Sequence, residues 1–305
     1  MSTAGNGSVY RLRRLAALPL LAMAAACRSV APPPSQFPNA AAALARMKAT
    51  YACERGVKGE ARIDHFSDRG RVRGKVLLFA IRPDRLRFDV VSPPPFNSII
   101  STLTADAGRF TLADVRERKF FEGPASACNI ARLTEVPLEA HALVGLLAGQ
   151  APLLVHHDGD LQIAWSGGGY YAVRIPSTRG ALEELRLTPT PADFGKPWAL
   201  QRLRVLDVRV LQQGVELYHA SLDEHADAST APPLVDPDGL EPPIPPSGPA
   251  CTVEVPRKIH IEVAEGDQDM LFRYDDVKLN PPLPAGAFQQ APPPGTQSLY
   301  VDCSD

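Results

Sequence analysis

The sequence has no excess of charge of either sign. Lys and Arg number 32 against 34 Asp and Glu, a formal net charge of −2. Nucleic-acid binding needs a basic excess or a basic stripe and is not expected. The apolar run at residues 15–26 is shorter than the roughly 20 residues that a membrane-spanning helix needs. No Gly-x-Ser-x-Gly elbow occurs, which removes the usual hydrolase nucleophile. No two cysteines have the short spacing of a zinc knuckle. His141 lacks a partner at Glu-x-x-His or His-x-x-x-His spacing, and His156 and His157, as strand neighbours, point to opposite faces. Gly167-Gly168-Gly169 runs into the β-like Tyr170-Tyr171-Ala172-Val173 rather than a helix, so it reads as a hairpin and not a phosphate loop. The acidic neighbours Glu183-Glu184 and Asp275-Asp276 are expected on opposite strand faces, which leaves no acid/base pair. These absences point to a protein that is not an enzyme and has no metal and no cofactor.

What is present begins near the N-terminus. Arg11, Arg13 and Arg14 precede the apolar run, and Ala24-Ala25-Ala26 leads to Cys27. A charged segment, a short hydrophobic core and small residues before a cleavage point make a secretory signal. Ala24-Ala25-Ala26-Cys27 resembles a bacterial lipobox, with Ala24 where a branched aliphatic is usual. Residues 1–27 are therefore expected to be a lipoprotein signal peptide ending at a lipidated Cys27. Several acyl chains, at about 0.8 kcal/mol per buried methylene, make such an anchor nearly permanent. Arg28 follows the cysteine, not the Asp that retains lipoproteins in the inner membrane, so the outer membrane is the expected location.

Residues 28–39 carry Pro and Ser without a period and read as a flexible linker. Leu44, Met47 and Tyr51 then fall near helical spacing, which predicts a helix over 40–51. After Gly56 the period changes to two. Val72, Gly74, Val76, Leu78 and Ala80 alternate with Arg71, Arg73 and Lys75, and Leu86, Phe88 and Val90 alternate with Arg85, Arg87 and Asp89. Repeated alternation of this kind is an antiparallel sheet with one face away from water. Further strands are expected at 98–105, 109–115 and 116–121, then at 153–157, 161–165 and 170–175. The rest are expected at 182–187, 200–210, 215–220, 259–263 and 271–279. Leu138, Ala142, Leu143, Leu146 and Leu147 make one apolar helical stripe between Pro137 and Gly149. Proline dominates residues 229–250, an excursion without packed structure, and residues 281–305 read as an extended tail. About a dozen strands and one inserted helix fit a sandwich or a barrel, and a half-barrel with the helix plugging its mouth accommodates both.

Cys53, Cys128, Cys251 and Cys303 remain after Cys27 is set aside, an even number in an exported chain, so two disulfides are expected. Three pairings exist; Cys53–Cys128 with Cys251–Cys303 is favoured because each pair brackets one end of the domain. Arg71, Arg73, Arg85 and Arg87 read as the solvated outer face of two strands, with contact to anionic lipid headgroups as the weaker alternative. Phe96 follows Pro93-Pro94-Pro95 in a stiffened turn. It either folds into the core or projects as a hydrophobic finger, and the residues alone leave both open.

Several segments resemble the LolA/LolB family of bacterial lipoprotein carriers. Lys58-Gly59-Glu60-Ala61 resembles the family's first strand. Residues 92–98 resemble its Asn-Pro-Leu-Gly-Ser loop, with Phe96 at the protruding Leu of the anchored branch and Asn97 at the Gly. Val136-Pro137-Leu138 with the following helix, Val255-Pro256-Arg257-Lys258-Ile259 and Asp276-Val277-Lys278-Leu279-Asn280 continue the likeness over about residues 56–280. The resemblance implies a mainly β fold, an open antiparallel β-barrel (half-barrel) with inserted helices plugging its mouth, spanning 40–280. It implies an apolar cavity for acyl chains, closed by Leu143, Leu146 and Leu147 and lined on the sheet by Val76, Leu78, Phe88 and Leu103 or by the opposite face of those strands. It implies a protruding delivery loop at Phe96, a soluble periplasmic carrier as partner and transfer of lipoproteins or lipids to the outer membrane. An envelope sensor using the same lipid cavity is the alternative. The cysteine pairs, the proline-rich insertion and the longer tail depart from the family pattern.

Overall fold

The computed structural model describes residues 29–67, 70–134, 136–264 and 268–303. Cys27 and the expected signal peptide lie outside them. Among the described residues no helix is long and apolar enough to cross a membrane.

Helix α1 (Ala40–Thr50) starts where the Asn39 side chain accepts the Ala42 N–H at 2.8 Å. A meander follows: β1 (Gly56–Ser67), β2 (Gly70–Ile81), β3 (Arg85–Val91), β4 (Ile99–Asp106), β5 (Arg109–Asp114) and β6 (Lys119–Pro124). The chain then enters α2 (Ala127–Thr134) and α3 (Ala140–Leu147). Next come β7 (Gln162–Ser166), β8 (Tyr170–Pro176), β9 (Ala181–Pro189), β10 (Leu203–Gln212) and β11 (Val215–Asp223). β12 (Ala226–Ser229) and β13 (Thr252–Val255) pair with each other across the base of the proline-rich excursion. β14 (Lys258–Val263), β15 (Gln268–Leu279) and β16 (Gln297–Tyr300) close the chain.

Fourteen strands form one sheet in the order β16-β6-β5-β4-β3-β2-β1-β15-β14-β11-β10-β9-β8-β7. All pairs are antiparallel except β16 on β6, and the two edges do not meet. The mainly β, open antiparallel architecture expected from the sequence is thus what the structure has. Alternation sets the inner face: Val57, Ala61, Val76, Leu78, Leu86, Phe88, Leu103, Phe110, Val173, Leu185, Val208, Ala220, Ile261 and Phe272 are all buried in one cluster. Strands from opposite ends of the order share that cluster, so the sheet curves around it. Gly59 allows a tight crossing beside the bulge between Glu60 and Ala61; a Cβ there would lie 2.9 Å from the Asp276 carbonyl oxygen. That bulge corrects one expectation. Tyr274 and Val277 both face inward, so Asp275 and Asp276 both face solvent instead of opposite sides.

β6 and β7 occupy nearly opposite edges, so residues 125–161 cross the concave face. α2 and α3 lie in that crossover against β2–β5, while α1 covers β10 on the other half. The strand expected at 153–157 is not a strand; it is irregular chain with one bridge, His156 to Ser177, because it belongs to this crossover. The strand expected at 116–121 begins at Lys119, since Asp114 accepts the N–H groups of Arg116 and Glu117 and makes a turn.

Two segments without periodic pattern are nevertheless held. In the linker, Val30 bonds to Gly167 and Trp165, and Ser35 to Trp198 and Gln201. The tail crosses the convex face, burying Phe288 and placing the Gln290 amide against Thr104 and Thr111. It then adds β16 to the edge of β6. Gly123 permits this approach, because a Cβ there would meet the Val301 carbonyl oxygen at 2.0 Å.

Candidate functional site

The concave face and one of its rims make up the site. Leu78, Phe88 and Leu103 sit in one register row across β2, β3 and β4, and Val76 lies opposite Val90. All four point inward and are buried, as are Leu143, Leu146 and Leu147 of α3. The structure therefore brings the seven expected cavity residues into one apolar cluster. The space left among them is small. A gap of about 10 Å³ is lined by Ile63, Val76, Phe88, Val90, Met270 and Phe272 of the sheet and by Leu133 and Thr134 of α2. That is room for one water at most, against several hundred Å³ for a ligand pocket. Of the expected residues only Val76 and Phe88 touch the gap. Ile63, Met270 and Phe272 were legible as inward alternating positions, but Leu133 lay in a stretch too short to show its face.

Tethers hold the helices in place. The Tyr274 hydroxyl donates to the Leu147 carbonyl at 3.1 Å, and the Tyr51 hydroxyl to the Glu254 carbonyl at 3.3 Å. Cys53 lies beside Cys251, with Cα atoms 5.4 Å apart, and Cys128 beside Cys303, at 6.2 Å. Both are disulfide distances. The favoured pairing of Cys53 with Cys128 and Cys251 with Cys303 is thus corrected. β1 pairs with β15, which draws the C-terminal part of the chain back beside the N-terminal part, so each pair joins early chain to late chain. One pair clips the end of α1 to the start of β13, the other clips α2 to the tail.

Few polar groups enter the concave face. Glu183 is fully buried; one carboxyl oxygen accepts the Leu154 N–H of the crossover at 2.9 Å and the other has no partner. Burial pushes its pKa up to about 8, so the carboxyl is largely protonated at neutral pH. Its neighbour Glu184 faces out and meets Arg174 at 3.2 Å. Glu54 is buried at the end of α1, held by Gln150 at 2.6 Å and Arg82 at 3.4 Å. Burial raises its pKa to about 6 against the lowering effect of Arg82.

The rim that carries the β3–β4 and β5–β6 turns bears exposed apolar side chains beside charged ones, Arg116, Glu117 and Arg118 among the latter. Phe96 is 81% exposed, which excludes the core alternative. Its loop is closed by the Ser92 N–H to the Ser98 carbonyl at 2.8 Å. Asn97 takes the left-handed conformation with φ 47°, which explains why Gly or Asn suits that place. Phe66, Ile99, Val115, Val155, Val215 and Leu217 are also exposed and lie toward the same end of the strands. Val90, which lines the gap, stands one residue before the end of β3, and the chain continues from there into the loop of Phe96.

The arginines do not act as one surface. Arg71 and Arg73 pair with Asp64 and remain exposed. Arg85 and Arg87, expected in solvent, lie partly beneath the tail: Arg85 stacks on Phe288, and Arg87 donates to the Ala287 carbonyl at 3.0 Å. His141 is exposed beside Glu139, and the His156 ring meets the Leu154 carbonyl at 2.6 Å.

No family model matches the sequence, and no curated protein matches it. Solved structures do match. A DUF1329 family protein from Desulfovibrio piger superposes with a TM-score of 0.50 at 8% identity, over 81% of this chain and 94% of its own. A LolA superfamily protein from Nitrosomonas europaea gives 0.46 at 12% identity, over 83% and 98%. A putative outer membrane lipoprotein-sorting protein domain from Vibrio parahaemolyticus gives 0.42 at 9%, over 81% and 95%. At these identities the likeness is one of fold.

Proposed function

We propose that this chain binds the acyl chains of lipoproteins or lipids on its concave face and, anchored through Cys27, passes them to the outer membrane. The observation that carries this reading is the coincidence at one rim of an exposed apolar fringe led by Phe96 and an apolar gap between α2 and the sheet. An acyl chain entering the gap meets apolar side chains, with Thr134 the one polar residue among them. Widening the gap requires α2 and its neighbour α3 to lift from β1–β3 and β15. No covalent step is involved: cargo moves between apolar surfaces, downhill when the acceptor buries more of it. A soluble periplasmic carrier supplies the cargo in this reading. The sensor alternative draws on the two cysteine pairs, which clip α1 and α2 to the periphery and restrain opening.

The test uses full-length protein in detergent and a fluorescent fatty-acid probe. Saturable binding is expected, and Leu133→Glu, which puts a charge in the gap, should abolish it while the circular dichroism spectrum stays unchanged. Absence of binding by the wild type, or full binding by the folded variant, overturns the reading. Depletion in cells then separates carrier from sensor: only loss of a carrier leaves lipoproteins in the inner membrane.

A further inference from the structure

On β14 the inward residues Ile259, Ile261 and Val263 leave Lys258, His260 and Glu262 on the convex face. On β15, Asp269 lies directly opposite Glu262 in register. Two carboxylates facing each other across strands repel, and a sheet keeps such a pair at a cost unless something positive joins it. Among the described residues no Lys or Arg pairs with either. Lys258 reaches Asp223, Arg273 reaches Glu224 and Arg209 reaches Glu216.

An imidazole stands there instead. His260 Nε2 is 2.6 Å from Asp269 Oδ1, and one donor atom each from His260, Glu262 and Asp269 lie within 4.8 Å of one another. Ligands about 2.0–2.2 Å from a shared ion are separated by about 3–4 Å, so small side-chain rotations close the triangle. Outside it, the His219 ring bridges Glu262 at 3.0 Å and Asp207 at 2.6 Å. Held by Asp207 on one side, the ring fixes Glu262 from behind.

We propose that His260, Glu262 and Asp269 bind a divalent first-row transition-metal ion such as Zn²⁺, with His219 and Asp207 as the supporting shell that orients Glu262. One imidazole nitrogen and two carboxylates suit such an ion. The same three side chains fall short of the six to eight oxygens that Ca²⁺ takes. A bound cation relieves the repulsion between the two carboxylates. The ion ties β14 to β15 and, through His219, to β11. The sequence signal was the pair His260 and Glu262 two apart on an alternating strand; the third ligand was invisible until the register was known.

The experiment takes untagged full-length protein in detergent, stripped with a chelator, and titrates it with Zn²⁺ by calorimetry. Co²⁺ absorption is the second readout. One saturable Zn²⁺ site is expected, lost in His260→Ala and in Asp269→Asn. His219→Ala should weaken it by about 10–100-fold, as loss of a supporting partner does, and His141→Ala should leave it unchanged. All four positions lie outside the buried core, and thermal melts verify folding. No saturable binding, binding that survives His260→Ala with Asp269→Asn, or equal binding of Ca²⁺ overturns the assignment.

Discussion

The two halves of the sheet are built differently. In the second half, β7–β11 with β14, α1 is capped, and its Thr50 accepts the Leu203 N–H of β10 at 3.0 Å. Aromatic rings interlock there: Phe37 meets Tyr171 edge-on at 5.2 Å, and Tyr171 meets Trp165 at 4.9 Å. Asp193 is buried beside them, and hydrogen bonds from Arg202 and Lys196 hold its pKa well below the usual range against the opposing effect of burial. In the first half, α2 and α3 are short, the covering side chains are aliphatic, and the gap remains beside Leu133. Interlocked rings and a buried carboxylate held by two cations resist sliding, whereas aliphatic side chains on a short helix separate with little loss of specific geometry. The first half is therefore the part suited to open, and the second the part that holds the shape.

The sharpest way to break this comparison is a matched pair of truncations. Tyr171→Ala should destabilise by about 3–5 kcal/mol, as loss of a buried aromatic does. Leu133→Ala, at a partly buried position already beside space, should cost no more than about 1 kcal/mol and should raise acyl-probe affinity by enlarging the gap. Denaturant unfolding of both variants decides it, and equal losses would erase the distinction.

A middle-sized effect comes from Glu183. Its folded pKa near 8 stands above the ordinary value of 4.5, so the folded chain holds an extra proton between them. Stability is full below about pH 4.5 and falls as pH rises toward 8. Glu183→Gln keeps an acceptor for Leu154 and should flatten this slope, which melts at pH 5 and pH 8 will show. The smallest effect on stability belongs to Phe96→Glu, expected within about 0.5 kcal/mol of wild type because the side chain is exposed. Delivery of cargo into liposomes by that variant should nevertheless slow.

What was legible in the sequence follows from what local pattern encodes. Period-two alternation put Val76 with Leu78 on one face of β2 and Phe88 with Leu86 on one face of β3, and the stripe of α3 marked Leu143, Leu146 and Leu147 as buried. Both depend only on neighbours along the chain. The cysteine partners, the burial of Arg85 and Arg87 beneath the tail, and the position of Glu183 inside the curve depend on which distant strands become adjacent. Residues 153–157 misled because an apolar crossover has the composition of a strand without its pairing. The anchoring of the extended tail had no local signal, since Phe288 and Gln290 are held by positions that no periodicity announces.

The middle of the sheet joins β1 to β15, with Val57 opposite Leu279. The strands from β1 to β6 are successive hairpins and can assemble as the chain is made. One flank of β1 must then wait for nearly all the remaining sequence before its partner arrives. Pairings so far apart form slowly, because the intervening loop is closed before any contact repays it. During that interval the nascent half-sheet presents an open edge and an apolar surface, the features through which half-formed sheets aggregate and by which chaperones hold them.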